Sequence, residues 1–181
     1  MGMSESSSDF YARFRWHVRY RTPWRLAMWL RKRGVPILPS LLGRAIRIIY
    51  GLELPPWDRE PEGLVLMHNG RGTVIHPGTR IEDGPTVIFH GVTIGNSWNP
   101  AAPGEPTLLP PLIVGAGAVI VGPITVGPDV IIGANAVVTS DVPPGTVVRT
   151  GVNKVSRRNL DVRHVILHDS RAGERDVVGP S

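Results

Sequence analysis

The chain has 181 residues, 41% hydrophobic and 19% charged, a globular balance that excludes a disordered polyelectrolyte and predicts one domain with appended segments. The absence of cysteine removes disulfides, thiolate metal sites and a cysteine nucleophile together, and it fits a reducing, cytoplasmic setting. Much of the net charge of +5 gathers before residue 50, in Arg13, Arg15, Arg19, Arg21, Arg25, Arg31, Lys32, Arg33, Arg44 and Arg47.

Taken in chain order, residues 1–9 are polar and no apolar core of signal-peptide length follows, so no secretory leader is expected. Residues 10–20, 24–33 and 39–50 have helical character, punctuated by Pro23 and by the Gly34–Pro36 stretch. Residues 27–42 are partly apolar, but Arg31, Lys32, Arg33 and two prolines interrupt them, so they cannot span a bilayer. A basic segment containing tryptophan is able to touch anionic lipid or an acidic substrate, or to form a solvated helix face with subunit contacts. No nucleic-acid-binding motif accompanies the charge, so nucleic acid is not an expected partner.

From residue 51 the pattern changes. Leu108, Val114, Ile120, Val126, Ile132 and Val138 are aliphatic and fall six residues apart. Leu112, Ala118, Ile124, Val130, Ala136 and Val142 form a second apolar series in the same rhythm. Neither the helical period of about 3.6 nor the strand period of 2 produces a repeat of six. A coil of three short strands joined by tight turns does, and stacked coils bury the aliphatic residues in columns. Gly115, Gly127 and Gly133 directly follow the aliphatic position, where a turn needs an unhindered backbone.

The same phase runs upstream with slips. Ile75 and Ile81 keep it, as do Ile88 and Ile94, with one extra residue between the pairs. Leu54 and Leu66 hold the frame around Glu60, whose carboxylate would be costly inside a coil. The stretch 57–62 is therefore expected to bulge outward. Between Asn96 and Thr107 the period stops in a run rich in proline, which predicts a long loop leaving the solenoid. The chain thus divides into a helical region (1–50), a repeat region (51–150) with the loop at about 96–107, and a tail (151–181) that is polar from about Asp169.

Several motifs stand in order along the repeats: His68-Asn-Gly, Val74-Ile-His, His90-Gly-Val-Thr-Ile-Gly95, Glu105-Pro-Thr, Ile113-Val-Gly-Ala-Gly117 and Ile132-Gly-Ala-Asn-Ala-Val-Val138. Together with Val142-Pro-Pro-Gly-Thr146 they resemble serine acetyltransferase over about residues 22–155, and more nearly its short relatives found in polysaccharide or secondary-metabolite gene sets. The resemblance implies a mainly β chain folded as a left-handed parallel β-helix of hexapeptide repeats. It also implies a homotrimer with active sites between adjacent subunits and acetyl-CoA lying along the groove between two solenoids. The family's catalytic base corresponds to His68. Its carboxylate partner, fifteen residues earlier, corresponds to Glu53 in Glu53-Leu-Pro-Pro56. The coenzyme groove corresponds to backbone at Gly95, Ala116 and Ala134. No metal is expected.

Two positions depart from serine acetyltransferase. Met67 stands where the family has Asp before the catalytic His, and Gly104-Glu105 stands where it has an Arg-His pair. Both charges that hold free serine are replaced, which points to another small hydroxylated acceptor: a sugar, an amino-acid derivative or a natural-product intermediate. Authentic serine O-acetyltransferase is the alternative. A non-catalytic scaffold is the alternative of another class.

Transfer from a thioester to an alcohol needs a base in hydrogen-bond reach of the hydroxyl, and the pKa of histidine suits that task. With a carboxylate on its other nitrogen, His68 would present its free nitrogen to the acceptor. Backbone N–H groups near Gly95 would meet the developing oxyanion. Met67, His90 and Glu105 are read as shaping the acceptor site, and His76 as a solvated turn residue. Trp98 and Asn99 are read as loop residues near a ligand, and Lys154, Arg157 and Arg158 as partners for coenzyme phosphates or as a solvated tail. Zinc carbonic anhydrases share this fold, but the spacings of 8 and 14 among His68, His76 and His90 lack their close histidine pair.

Overall fold

A computed structural model describes residues 19–57, 59–97, 99 and 101–150, together with the backbone of a short strand at 156–157. The expected helix at 10–20 lies almost wholly outside the described residues, as do Trp98, Lys154, Arg158 and the side chain of Arg157.

Two helices precede the repeats, α1 (Arg21–Lys32) and α2 (Leu38–Tyr50). Pro23, expected to separate helices, lies inside the first turn of α1. That position has no intrahelical acceptor for its N–H, so proline costs little there. Gly51 ends α2 with φ 63°, a left-handed cap that favours glycine. Trp24 and Ala27 of α1 and Pro39 and Ile46 of α2 are buried, and Trp24 meets Trp57 edge-on at 5.8 Å.

The chain then winds into a left-handed parallel β-helix. Its first face stacks β1 (Leu64–Leu66), β4 (Thr86–Ile88), β7 (Leu112–Val114), β10 (Val130–Ile132) and β12 (Thr146–Val148), with β13 (Ser156–Arg157) added antiparallel. The second face stacks β2 (Val74–Ile75), β5 (Thr93–Gly95), β8 (Val119–Val121) and β11 (Val137–Val138). The third stacks β3 (Arg80–Ile81), β6 (Thr107–Leu108) and β9 (Thr125–Val126). Both apolar series point inward and are buried, from Leu108 to Val138 and from Leu112 to Val142. The coils stack closely enough that a Cβ on Gly115 would sit 2.5 Å from the backbone N of Ala134.

Register shows where the rhythm is broken. On the first face Leu66 pairs with Ile88, Ile88 with Val114, Val114 with Ile132 and Ile132 with Val148, steps of 22, 26, 18 and 16 residues. The first step carries the expected extra residue between Ile81 and Ile88, plus three more in a 3₁₀ turn at Met67–Gly70. The step of 26 holds the expected loop, and β6 restores the frame at Thr107. The last step is two short, so Val142 bridges Val126 and leaves the second series for the first. The Glu60 stretch is not a strand. Its side chain is only 7% exposed, however, because the carboxylate turns onto Arg21 and Arg25 of α1. Two guanidinium groups make that placement tolerable.

Candidate active site

The corner between the first and second faces recurs in every coil. In successive coils it holds His68, His90, Ala116 and Ala134, each two residues beyond a first-face strand. The first two coils put imidazoles there and the next two put methyl groups.

His68 and Asn69 occupy the left-handed region, with φ of 54° and 60°. Side chains carrying a Cβ adopt it at a cost of about 1–2 kcal/mol, and such strain gathers at functional sites. Here it swings the His68 imidazole to the surface, where the residue is exposed. The Oδ1 of Asn69 accepts a hydrogen bond of 2.8 Å from the Arg19 backbone N–H, which ties the turn to the start of the helices. His90 stands edge-on to His68 with ring centroids 5.1 Å apart, and Phe89 is tilted against it at 6.2 Å. The Thr73 hydroxyl donates to the Phe89 carbonyl at 3.2 Å, holding that corner from the neighbouring coil. Phe89 escaped the sequence reading, its only signal being adjacency to His90, and Asn69 stood in the His68-Asn-Gly motif without a role of its own.

Met67, half-buried, belongs to an apolar cluster on the outer side of the first face with Val65, Val87, Phe89, Ile113 and Ile131. Glu53 bridges Val74 and so begins the outward column of the second face. Its carboxylate lies 2.9 Å from the Arg47 guanidinium of α2.

Glu105 is at the opposite end of the second face. It lies 3.4 Å from the Nδ1 of His76, whose side chain is partly exposed in the turn after β2. That nitrogen accepts a hydrogen bond from the Gly78 N–H at 3.2 Å. A Cβ on Gly78 would sit 2.5 Å from the Glu105 carboxyl carbon, so only glycine leaves room for this arrangement. The two ends of the extended loop are held together by the Ser97 N–H donating to the Gly104 carbonyl at 3.2 Å.

Of the groove positions, Ala116 accepts a 2.8 Å hydrogen bond from the Asn135 N–H, and Ala134 accepts one from the Thr150 hydroxyl. A Cβ at Gly95 would meet nothing within 4 Å, so the wall there is bare backbone. Ala116 and Ala134 put short side chains along one corner, whereas Gly95 lies at the far end of the second face, so the three positions are not brought to one place within the chain.

No family model matches the chain. Serine acetyltransferase of Helicobacter pylori is 42% identical over 126 residues, covering 66% of this chain and 72% of that one. Serine acetyltransferase of Synechococcus elongatus is 38% identical over 103 residues, and the chain spans only 41% of its length. The crystal structure of the Brucella abortus enzyme in complex with coenzyme A superposes with a TM-score of 0.65 at 31% identity, covering 76% of this chain and 54% of that one.

Proposed function

The chain belongs to the serine acetyltransferase family of hexapeptide-repeat acyltransferases, and from that premise we propose that it is an acetyl-CoA-dependent O-acetyltransferase using His68 as general base. The observation that carries the reading is the strained, surface-facing His68 beside His90, in the same corner column as Ala116 and Ala134. His68 takes the proton of the acceptor hydroxyl as its oxygen attacks the thioester carbonyl carbon. The tetrahedral intermediate collapses with cleavage of the carbon–sulfur bond, and the proton passes from His68 to the departing thiolate. Glu53 is the carboxylate proposed to orient the imidazole, a role for which it has to leave Arg47.

L-Serine is the acceptor that the relatives' names support. The second reading is a different hydroxylated acceptor, and a specific observation favours it. Met67 is uncharged and lies in an apolar cluster, and Glu105 is an anion where the family carries an Arg-His pair, so neither supplies the charges that hold a free amino acid. Release of CoA thiol, followed with L-serine and with a panel of sugars and hydroxylated amino-acid derivatives, separates the two. Turnover of L-serine at metabolite concentrations supports the first reading, and selective turnover of an uncharged acceptor supports the second. No acetyl transfer to any hydroxyl overturns both.

We further propose a homotrimer of about 59 kDa, three chains of 19.7 kDa, following the closed symmetry usual for oligomers. Among outward positions, Val74 and Val137 of the second face are exposed and Ile113 and Ile131 of the first are half-buried, whereas those of the third are Arg80, Thr107 and Thr125. Aliphatic side chains on the outside of a solenoid support subunit contact there.

A further inference from the structure

The two helices differ from the rest of the molecule in both charge and exposure. Residues 19–50 contain eight Lys and Arg and no Asp or Glu, while residues 51–150 contain four basic and nine acidic residues. Five of those nine carboxylates (Glu53, Glu60, Glu62, Glu82 and Asp83) already lie beside arginine side chains.

At about 100° per residue, Leu38, Leu41, Ala45, Ile48 and Ile49 fall in one sector of α2 roughly 100° wide. This sector is separate from the one that buries Pro39 and Ile46. It faces outward: Ile48 is 83% exposed, and Ile37 at the helix start is 67% exposed. Arg44 lies about 40° beyond one edge of it, whereas Arg47 points to the other side of the helix, toward Glu53. On α1, Leu26 and Trp29 are exposed between Arg25 and Lys32, and the Arg33 guanidinium lies 3.9 Å over the Trp29 ring. Between the helices and the first coil an open cleft of about 690 Å³ carries Arg31, Arg44 and Arg47.

We propose that this helical face docks on an anionic lipid surface. Exposed aliphatic and tryptophan side chains bordered by basic residues are the arrangement of an interfacial amphipathic helix, which lies in the membrane plane. No helix among the described residues is long and apolar enough to cross a membrane. A second copy placed two-fold against the same face would set Arg31, Lys32, Arg33 and Arg44 against their own copies, which disfavours self-association there. The complementary surface is both anionic and apolar at shallow depth, and a bilayer of acidic phospholipid provides both. The inference goes beyond acetyl transfer and does not depend on it.

Vesicle flotation of the full chain tests it, comparing phosphatidylcholine alone with phosphatidylcholine containing about 30% phosphatidylglycerol. The expected result is at least about tenfold more bound protein on the anionic vesicles, with most of that excess lost at roughly 0.5 M NaCl. Ile48→Asp and, separately, Leu41→Gln are expected to weaken binding while melting temperature and mass by light scattering stay unchanged. Equal binding to both vesicle types, or none to the anionic ones, overturns the proposal. So does a loss of assembled mass in Ile48→Asp, because it makes the face a protein contact.

Discussion

The first two coils and the next two are built from the same repeat, yet they behave differently. The later coils step by 18 and 16 residues, carry small residues at the corner and bury aliphatic columns without an inserted turn or loop. The earlier coils step by 22 and 26, hold His68 and His90 at the corner, and extrude a strained turn and a long loop. Insertions are tolerated because each coil needs only its neighbours, so a corner can swell while the strands on either side keep register. Regularity supplies stability, and the candidate site lies where regularity is broken.

The comparison is broken most directly at the base. His68→Ala is expected to lower kcat by about 10²–10⁴, equivalent to about 2.7–5.5 kcal/mol, with acetyl-CoA binding and melting temperature nearly unchanged. Steady-state rates with the genuine acceptor decide it; retention of more than about a third of kcat moves the base elsewhere, with His90 next in line.

The opposite effect is expected in the regular coils. Ile132→Ala, at a fully buried column position, should cost about 2–5 kcal/mol in a denaturant titration while leaving per-molecule activity of the folded fraction intact. A loss below about 1 kcal/mol would mean that the columns are not what holds the solenoid.

Glu53→Gln tests the boundary between the two roles. It should lower kcat less than His68→Ala does, because it removes charge stabilisation and leaves the base. An unchanged kcat would leave Glu53 as a structural partner of Arg47 only.

The smallest effect concerns Asp83. Its pKa lies below the usual carboxylate value because the Glu62 N–H and then the Arg59 guanidinium favour its charged form, against a small penalty from burial. A depressed folded pKa contributes stability above the ordinary carboxylate range and loses it as pH falls through the folded value. The pair is largely exposed, so Asp83→Asn should cost no more than about 1 kcal/mol at neutral pH. Melting curves of the two proteins are expected to converge in acid; a gap that persists there would assign the effect to packing.

Hexad spacing was enough to read the solenoid, both inward series, the slip after Ile81 and the loop beginning at Asn96. Burial at a six-residue interval is a one-dimensional property, so the order of residues determines it. The end of the repeats was less legible. Val142 fits the second series by counting, but the short turn before it moves it against Val126.

Partner choice among polar side chains required three dimensions. Glu60, expected to turn outward because a lone inward carboxylate is costly, is instead held by Arg21 and Arg25 from 35 to 39 residues away. Glu105 turns onto His76, and Glu53 onto Arg47. Sequence alone named His68, His90 and the groove positions as candidates, through the order of motifs and their family resemblance. The left-handed backbone at His68 and Asn69, and the Phe89 ring beside them, arise from stacking one swollen corner on the next. A contact across coils depends on how many residues each corner inserts and which way they turn, and a linear spacing does not encode that direction.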